Sequence, residues 1–515
     1  MYSKVKNTFI FLLGKHNARN AAIVTTTLTL ASRLFSYVKI LLIAYFFGAS
    51  AFVDAYYIAY GAIFFITGTM QGTLESAVLP KLVQNDKETA KNIMGWVVHR
   101  SVIFCLIIFA IIIAFPEQFI KIFARSFDQQ RITYAANLIK WILPGALSLL
   151  FIGILTMWAN YKERFAVSNT ITVFSNILAI PTLVLLYPLI ENYALPAYQS
   201  IVYFVLAICM WRILKGVPMT YQGRLPSKLM SKINSDILLC LISGGAGFIY
   251  TLIDRYFASS LPTGNVSAIT YAQMIFSQPI GFMGAAMSVY LVRASSAAKT
   301  TGDVEGQLYT ALYIAWSYFF PASILLSVLA EPTVKVLLGY GAFDARAIAL
   351  TVPCLSVMAL GLPIMVWLTI IGRYAQATGK LRLLAVWSYI GVGGNFFLDW
   401  LFVDPYGAPG LCAATAIMWG VSTVFLMMML VPKITWRLCR SLILQTVIVL
   451  AWGLILLTLR GENTYLSLFI WGIVGLVHIF LCDRIGLFES IPRQWRPTAI
   501  GSLFLHKIIQ PRKNT

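Results

Sequence analysis

Long apolar runs recur along almost the whole chain, and each is about as long as a membrane is thick. A helix needs roughly 20 apolar residues to cross the hydrocarbon core. Fourteen stretches of this kind fall at 22–47, 54–80, 97–115, 133–158, 166–189, 193–211, 237–258, 266–292, 307–329, 347–371, 383–402, 409–430, 441–459 and 465–482. Of the 515 residues, 59% are apolar and 11% charged. The pattern predicts an all-α polytopic membrane protein with about fourteen spans, and it excludes a barrel of short alternating strands.

Basic residues are distributed unevenly between the predicted loops. With the N-terminus assigned to the cytoplasm, 29 of the 39 Lys and Arg residues fall on the cytoplasmic side and 6 on the other. This asymmetry is the positive-inside rule. The net charge of +20 therefore predicts topology, with both termini cytoplasmic, and no nucleic-acid partner. We expect a multi-pass protein of the bacterial plasma (inner) membrane.

The sequence lacks the motifs of a cofactor or catalytic site. It has no P-loop, H-E-x-x-H or G-x-S-x-G motif, and its seven cysteines form no C-x-x-C pair. We therefore predict a protein that is not an enzyme and that uses no cofactor or metal-ligating cysteine cluster. Without a nucleotide site, the energy for any transport must come from an ion gradient, the membrane potential or a downstream sink.

The chain repeats itself at an offset of 213–216 residues. The matching pairs are "VDAYYIAY" at 53–60 with "VSAITYAQ" at 266–273, "FPEQFIKIFARSFD" at 115–128 with "LAEPTVKVLLGYGAFD" at 329–344, and 143–165 with 359–381. Each copy holds six spans, so both copies have the same orientation, as in transporters with parallel repeats. The predicted organisation is a cytoplasmic N-terminus (1–20), a first six-helix repeat (21–213), a cytoplasmic linker (214–235), a second six-helix repeat (236–430), two extra helices (431–482) and a basic cytoplasmic tail (483–515).

Two cations lie within the first predicted span. A charge at the bilayer centre costs about 2.5–3.5 kcal/mol on insertion scales. The polar residues of this span recur at helical spacing, so they form one stripe, which Arg33 borders: Thr25, Thr29, Ser32, Ser36 and Lys39. We expect this stripe to face the protein interior or a wet cavity.

The second span carries a similar stripe, which is acidic at both ends and includes Asp54, Tyr57, Gln71 and Glu75. The second half adds further polar residues within or beside its spans. The candidate substrate-binding residues are Arg33, Ser36, Lys39, Asp54, Tyr57, Gln71, Glu75, Arg255 and Gln273. The candidate gating or coupling residues are Asp54, Glu75, Asp254 and Asp399, and Asn395 adds polarity beside the last of these.

Each of these residues also has a purely structural interpretation. Arg33 could pair with Asp54 or Glu75 and fix only helix packing. Lys39 could lie near the far interface and extend its ammonium group to the headgroups. Asp254 and Arg255 are adjacent near a helix end, where a local structural role is at least as favoured as substrate contact.

Three segments resemble the MurJ/MviN family of lipid II flippases, of the multidrug/oligosaccharidyl-lipid/polysaccharide exporter superfamily. They are "ASRLFSYVKILLIAYFFGASAFVDAYYIAY" at 31–60, "LPKL" at 79–82 and "YGAPGLCAATAIMWGVSTVFLM" at 406–427. By this resemblance, Ser32 and Arg33 match the family's first-helix Ser-Arg, Lys39 replaces a family Arg, and Asp54 matches the acid that opens the second helix.

The chain departs from the family pattern further along. An Arg pair of the family falls near Ile66 and Thr67, a Glu-Gly-Ala motif becomes Gln71-Gly72-Thr73, and a basic residue of the eighth helix falls near Met274. The resemblance implies outward flipping of an undecaprenyl-pyrophosphate-linked glycan, which is either lipid II or a related envelope precursor. It also implies contact with membrane lipids and with glycan polymerase or synthase machinery.

Two other functions compete with this interpretation. A cation-coupled multidrug exporter of the MATE type would use the acids to bind Na⁺ or H⁺ and a cationic drug. A membrane-embedded glycan ligase or polymerase would need a large catalytic outer loop, whereas the predicted outer loops here are short.

Overall fold

The computed structural model describes residues 18–164, 166–219, 221, 223, 225–280 and 304–458. Over these residues the protein is helical, with no strand, and it contains fifteen helices. They are α1 (Ala18–Phe47), α2 (Ala51–Gln84), α3 (Lys87–Ala114), α4 (Pro116–Phe123), α5 (Gln129–Tyr161), α6 (Ala166–Ile190), α7 (Ala194–Leu214), α8 (Ser227–Ala258), α9 (265–280), α10 (Val304–Val328), α11 (Ala330–Leu338), α12 (Ala345–Leu360), α13 (Leu362–Ala377), α14 (Leu381–Leu430) and α15 (Pro432–Thr458).

The all-α polytopic prediction is confirmed. Twelve predicted spans fall on described helices, and the span at 266–292 is described as helix up to residue 280. The span at 465–482, the N-terminal residues 1–17 and the tail at 483–515 lie outside the described residues. By length and composition, seven of the described helical segments are able to cross a membrane, or up to nine when two bent pairs are included.

Two of these seven segments are too long for a single crossing. The helical run 167–214 has 48 residues and the run 382–430 has 49, which at 1.5 Å per residue is more than twice the ~30 Å hydrocarbon core. A short 3₁₀ turn (Glu191–Tyr193) interrupts the first. The second kinks at Gly407, whose φ of 58° is non-helical. Each run therefore corresponds to two of the predicted spans.

The predicted span at 347–371 is broken in the structure. Helices α12 and α13 meet at a 50° bend around Gly361. Pro363 lies at the start of α13 and has no N–H to continue the hydrogen bonds of α12. A second bend of 54° separates 432–440 from 445–451 within α15.

The described residues fall into two compact units. The first comprises the described residues up to 274 together with 340–347 and 388–411, and the second comprises the remainder. In the first unit, α2 packs on α5 and α8, α5 packs on α7, and α1 packs on α6. In the second unit, α10 packs on α13 and α15, where Trp316 stacks 4.7 Å from Trp367 and Ser317 donates to Gln445.

The internal repeat is visible in the loops. The short helices α4 and α11 occupy matching places in the two copies, and a Phe-Asp pair follows each. Asp128 caps α5 by accepting from the backbone N–H of Arg131, and Asp344 caps α12 by accepting from that of Ala347. Aspartate is favoured at this position because it satisfies a backbone donor that the helix cannot. Within the predicted linker (214–235), α8 begins at Ser227.

Candidate functional site

Lys39 is held by an amide from a neighbouring helix. Its Nζ donates to Asn176 Oδ1 of α6 at 2.9 Å, and Asn176 Nδ2 donates to Ser32 Oγ at 3.0 Å. Asn176 thus joins Ser32 and Lys39, two members of the predicted α1 stripe. The side chains of Thr25 and Thr29 lie outside the described residues. Within the stripe, Lys39 is positioned by the protein and remains partly exposed.

Arg33 has no such partner. Its side chain is partly buried, and neither a hydrogen bond nor an ion pair connects it to another residue in the described part of the chain. The proposed structural pairing with Asp54 or Glu75 is absent, because both acids accept hydrogen bonds from elsewhere. A guanidinium carries five N–H donors, and no described residue occupies those of Arg33, which makes Arg33 a candidate anion ligand. Ser36 lies beside it, also partly exposed.

The carboxylate of Asp54 accepts hydrogen bonds from residues at the start of α9. It is fully buried, and its Oδ2 accepts from Gly264 N at 2.6 Å. Its Oδ1 accepts from Ser267 N at 2.8 Å and Ser267 Oγ at 2.7 Å. The acid therefore satisfies backbone donors at a helix N-terminus, where negative charge is favoured. No surface of Asp54 is open to a substrate in this conformation.

The loop before α9 is tied down on several sides. Ser259 Oγ accepts from Arg125 N at 2.7 Å, the Arg131 guanidinium donates to Leu261 O at 3.3 Å, and Arg346 donates to Thr263 O at 3.1 Å. We call these contacts, together with those of Asp54, the latch. They join the loop between α8 and α9 to α2, to the segment after α4, and to the starts of α5 and α12.

A matching contact closes the end of α1. Ala342 N donates to Tyr45 O at 2.8 Å, and Tyr271 OH donates to Gly48 O at 2.9 Å. Gly48 has a φ of 57° and lies directly against the Ala342 carbonyl, so a side chain has no room there. The segment after α4 thus contacts the end of α8, and the segment after α11 contacts the end of α1.

Beside the latch, the carboxyl group of Asp128 has a lowered pKa. The backbone N–H of Arg131 donates to it, and the Arg131 guanidinium lies 3.0 Å away. Both interactions favour the carboxylate and lower the pKa of Asp128 below its usual value. Burial opposes them only partly, because the side chain is 54% exposed.

Arg255 crosses from α8 to α2. Its Nη1 donates to Tyr57 O at 3.0 Å and lies directly against Gly61, so a side chain at position 61 would displace the guanidinium. The Nε of Arg255 is buried without a partner. Tyr57 is itself buried, with its ring 6.1 Å from that of Tyr271. The guanidinium of Arg255 is therefore the more accessible part of this pair, and the Tyr57 side chain is buried.

Two buried carboxylates share one amide. Asn395 Nδ2 donates to Asp254 Oδ1 and to Asp399 Oδ2, both at 3.0 Å. Gln273 Nε2 approaches Asp254 Oδ2 at 3.4 Å. Asp399 Oδ1 and Asn395 Oδ1 are buried and accept no hydrogen bond from any residue that the structure describes. Buried charges need a counter-charge. These carboxylate and amide oxygens are suitable ligands for a small hard cation, and the carboxylates can also bind a proton.

The remaining candidates lie on α2. Glu75 Oε1 accepts from Asn160 Nδ2 of α5 at 2.8 Å. Gln71 packs against Gly153, also of α5. At the end of α2 remote from Asp54, Lys81 forms a 2.9 Å ion pair with Asp236 of α8. The structure brings Asp254, Asp399 and Gln273 together and separates them from Asp54 and Glu75, which have partners of their own.

Sequence reasoning missed two amides, Asn176 and Asn160, which hold Lys39 and Glu75 respectively. A signal for Asn176 exists, since it is a lone amide in the apolar run "FSNILAI" at 174–180. Unpaired amides in a membrane helix seek a partner on another helix. Asn160 gives no comparable signal, because it lies at the polar end of its span.

Comparison with known proteins gives a consistent result. The family model described as "Lipid II flippase MurJ" matches residues 43–477. A probable lipid II flippase MurJ from Thermotoga maritima is 25% identical over 491 residues, covering 89% of this chain and 92% of the relative. A protein of the same description from Synechocystis sp. is 25% identical over 420 residues, covering 77% and 78%.

Solved structures show the same fold. A lipid II flippase MurJ in an inward closed conformation superposes with a TM-score of 0.79 at 20% identity, covering 95% of this chain and all of that one. An inward-facing multidrug resistance MATE family transporter superposes with a TM-score of 0.64 at 19% identity, covering 81% and 99%. At these identities the likeness concerns the fold alone.

Proposed function

The chain belongs to the lipid II flippase MurJ family, and from this premise we propose that it moves an undecaprenyl-pyrophosphate-linked glycan from the inner to the outer leaflet. The glycan is lipid II or a related envelope precursor. Both termini lie in the cytoplasm, in keeping with the excess of Lys and Arg on that side. Membrane lipids and the glycan polymerase or synthase machinery that uses the flipped product are its partners.

The observation that carries this proposal is the pair of cations on α1. A pyrophosphate entering an apolar membrane loses its water and needs fixed donors in place of it. Arg33 has an unused guanidinium fork, and Lys39 is held in place by Asn176 as a point charge. Arg255 supplies a third cation from α8. Ser36, Gln71 and Gln273 provide polar surface for the sugar, while the polyprenyl tail stays in lipid.

Transport proceeds by alternating access, with the latch as one of its gates. Asp54 holds the start of α9 against α2 through three hydrogen bonds. Opening at that end of α2 requires Gly264 and Ser267 to leave Asp54. At the opposite end, the Lys81–Asp236 ion pair joins α2 to α8, and Glu75 lies two turns before Lys81. Asp54 and Glu75 therefore act as gating residues.

Coupling occurs at Asp254 and Asp399. Their shared amide and the unpaired oxygens of Asn395 and Asp399 favour uptake of one monovalent cation, Na⁺ or H⁺. Binding draws α8 and α14 together. Because Arg255 follows Asp254 directly on α8, this movement also shifts the cation that contacts α2.

The proposal is tested by charge substitution on α1. Arg33→Ala should impair transfer more than Arg33→Lys, because lysine keeps the charge and loses the fork. Lys39→Arg should be tolerated, and Lys39→Glu should abolish transfer by repelling the pyrophosphate. The measurement is the transbilayer distribution of undecaprenyl-linked sugar in cells that express each variant at matched levels.

Lys121→Glu is the matched control, since it makes the same charge change on an exposed residue of α4. Normal flipping by both Arg33→Ala and Lys39→Glu would contradict the proposal. An acid-dependent exporter of the MATE type would then be the better account, and drug resistance on overexpression would identify it.

A further inference from the structure

A group of polar aromatic side chains in the first unit has been given no role above. It consists of Tyr56, Tyr60 and Phe64 of α2 with Gln199 and Tyr203 of α7, and we call it the tyrosine cluster. Tyr56 OH donates to Gln199 Oε1 at 2.7 Å. Gln199 Nε2 donates to Tyr60 OH at 2.9 Å and to Tyr203 OH at 3.3 Å. Three phenols therefore converge on one amide.

The cluster faces an internal space rather than lipid. On α7, Gln199 and Tyr203 lie in the sector occupied by Val202, Leu206 and Met210, all of which are buried. The lipid-facing sector of the same helix is marked by exposed side chains such as Phe204. Gln199 and Tyr203 nevertheless remain partly exposed. An exposed polar side chain in the buried sector of a helix indicates a cavity on that side.

The facing residues of α2 also indicate an internal space. Tyr60 and Phe64 are partly exposed and belong to the α2 stripe, whose neighbouring member Gly61 lies against the Arg255 guanidinium. The Tyr60 and Phe64 ring centroids are 3.8 Å apart, and the rings present a continuous aromatic surface. A cation, an aromatic surface and phenol hydroxyls thus border the same space.

The tyrosine cluster has phenol protons that the bonds from Gln199 do not use. Both N–H groups of Gln199 are used, one by Tyr60 and one by Tyr203. Each of these phenols accepts, so each still has its own proton to donate. If one donates to the other, the second proton is still directed outward. An unused hydroxyl in a membrane protein costs free energy, so a ligand that accepts from it is favoured at this position.

We propose that the tyrosine cluster is the subsite that binds a sugar ring of the headgroup, with Arg255 beside it toward the pyrophosphate. A pyranose ring has hydroxyls on its edge and an apolar C–H face. The edge fits the Tyr60 and Tyr203 hydroxyls, and the face fits the aromatic surface of Tyr60 and Phe64. This inference rests on the proposed function, because it assigns part of the same substrate.

The test compares two lipids that share the undecaprenyl pyrophosphate, of which only lipid II carries the headgroup sugars. Purified full-length protein in lipid nanodiscs is titrated with lipid II and with undecaprenyl pyrophosphate. The Tyr60→Phe/Tyr203→Phe double variant removes two hydroxyls and keeps both rings. We expect it to bind lipid II about tenfold more weakly and undecaprenyl pyrophosphate as the wild type does. Arg33→Ala should weaken the binding of both lipids.

Tyr406→Phe is the matched control, because Tyr406 is 65% exposed and loses the same hydroxyl far from the cluster in sequence. Thermal unfolding of each variant verifies the fold, and Gln199→Leu, which also breaks the network, serves as a second variant. Unchanged lipid II binding in both cluster variants, or an equal loss for both lipids, would overturn the subsite alone. A wild-type protein that binds neither lipid would overturn the proposed function as well.

Discussion

Two buried acidic sites in the first unit differ in how well the protein satisfies them. Asp54 accepts three hydrogen bonds, two of them from the backbone at the start of α9. Asp254 and Asp399 share a single amide, and oxygens of Asn395 and Asp399 are left without donors. Both sites are in a membrane protein and both are almost fully buried. The two sites are similarly buried, but they differ in how many hydrogen-bond donors the protein supplies to their carboxylates.

This difference separates a structural acid from a binding acid. A carboxylate whose donors come from the protein is stabilised only while those donors stay in place, so it favours one conformation. A buried carboxylate such as Asp399, one oxygen of which lacks a donor among the described residues, is stabilised by something from outside, so it responds to an ion. Charge and burial alone would have grouped the two sites together.

The largest effect should follow the removal of Asp54. Asp54→Ala leaves the Gly264 and Ser267 N–H groups buried without an acceptor, and we expect it to cost about 3–5 kcal/mol of stability. Asp54→Asn keeps an acceptor oxygen and should lose about half as much. Denaturant titration of the purified protein in micelles measures both. An Ala variant as stable as the wild type would show that the latch is dispensable.

The comparison predicts a contrasting result at Asp399. Asp399→Asn should change the stability without added cation by less than about 1 kcal/mol, because it removes a buried charge whose donor among the described residues is the Asn395 amide that it shares with Asp254. At a cation concentration 100 times Kd, the wild type should gain about 2.7 kcal/mol and the variant nothing. Thermal unfolding in Na⁺, in K⁺ and at lower pH distinguishes Na⁺ from H⁺. An equal gain in wild type and variant would place the ion elsewhere.

A smaller effect is expected at Asn176, which supports a cation rather than an acid. Asn176→Leu keeps the size of the side chain and removes the acceptor of Lys39. We expect a loss of about 1–2 kcal/mol and a transfer rate lowered about tenfold, as Lys39 is no longer held toward the substrate. Flipping assays and unfolding should be compared with the Lys39→Ala/Asn176→Leu double variant. Additive losses would show that the pair is uncoupled.

The smallest effect concerns Asp128 at the latch. Its pKa is lowered in the folded protein, so its stabilising contribution is complete near neutral pH and disappears as the pH falls through the folded pKa. Since the side chain is 54% exposed, solvent screening limits the effect to a few tenths of a kcal/mol. The stability difference between wild type and Asp128→Asn should therefore shrink between pH 7 and pH 3. A constant difference would contradict this assignment.

The fold could be predicted from the sequence because the length of the apolar runs and the uneven distribution of Lys and Arg are visible in the linear sequence. Helical spacing also placed Ser32 and Lys39 on one face, and the bridge through Asn176 confirms that geometry. The bend at Gly361 was missed, since the apolar run continues through it, although Pro363 is a signal for it.

The partners of the candidate residues were much less accessible. Asp54 was recognisable as a buried acid, but its donors are backbone groups of Gly264 and Ser267, and residue type carries no information on those. The i, i+4 spacing of Asn395 and Asp399 was visible, whereas their contact with Asp254 joins residues 141 positions apart in the chain. Periodicity describes one helix at a time, and these sites are made by two.

Asp54 and Ser267 occupy the same position in the two copies of the repeat, and they bond to each other. In an ancestral dimer of identical six-helix subunits, this position would have met its own copy across the symmetry axis. Two aspartates there would repel, and two serines would form a weak contact. An acid opposite a hydroxyl requires that the two copies mutate independently, as they do once the sequence has been duplicated. The contact between Asp54 and Ser267 is therefore asymmetric, and each copy of the repeat supplies the group that the other copy lacks.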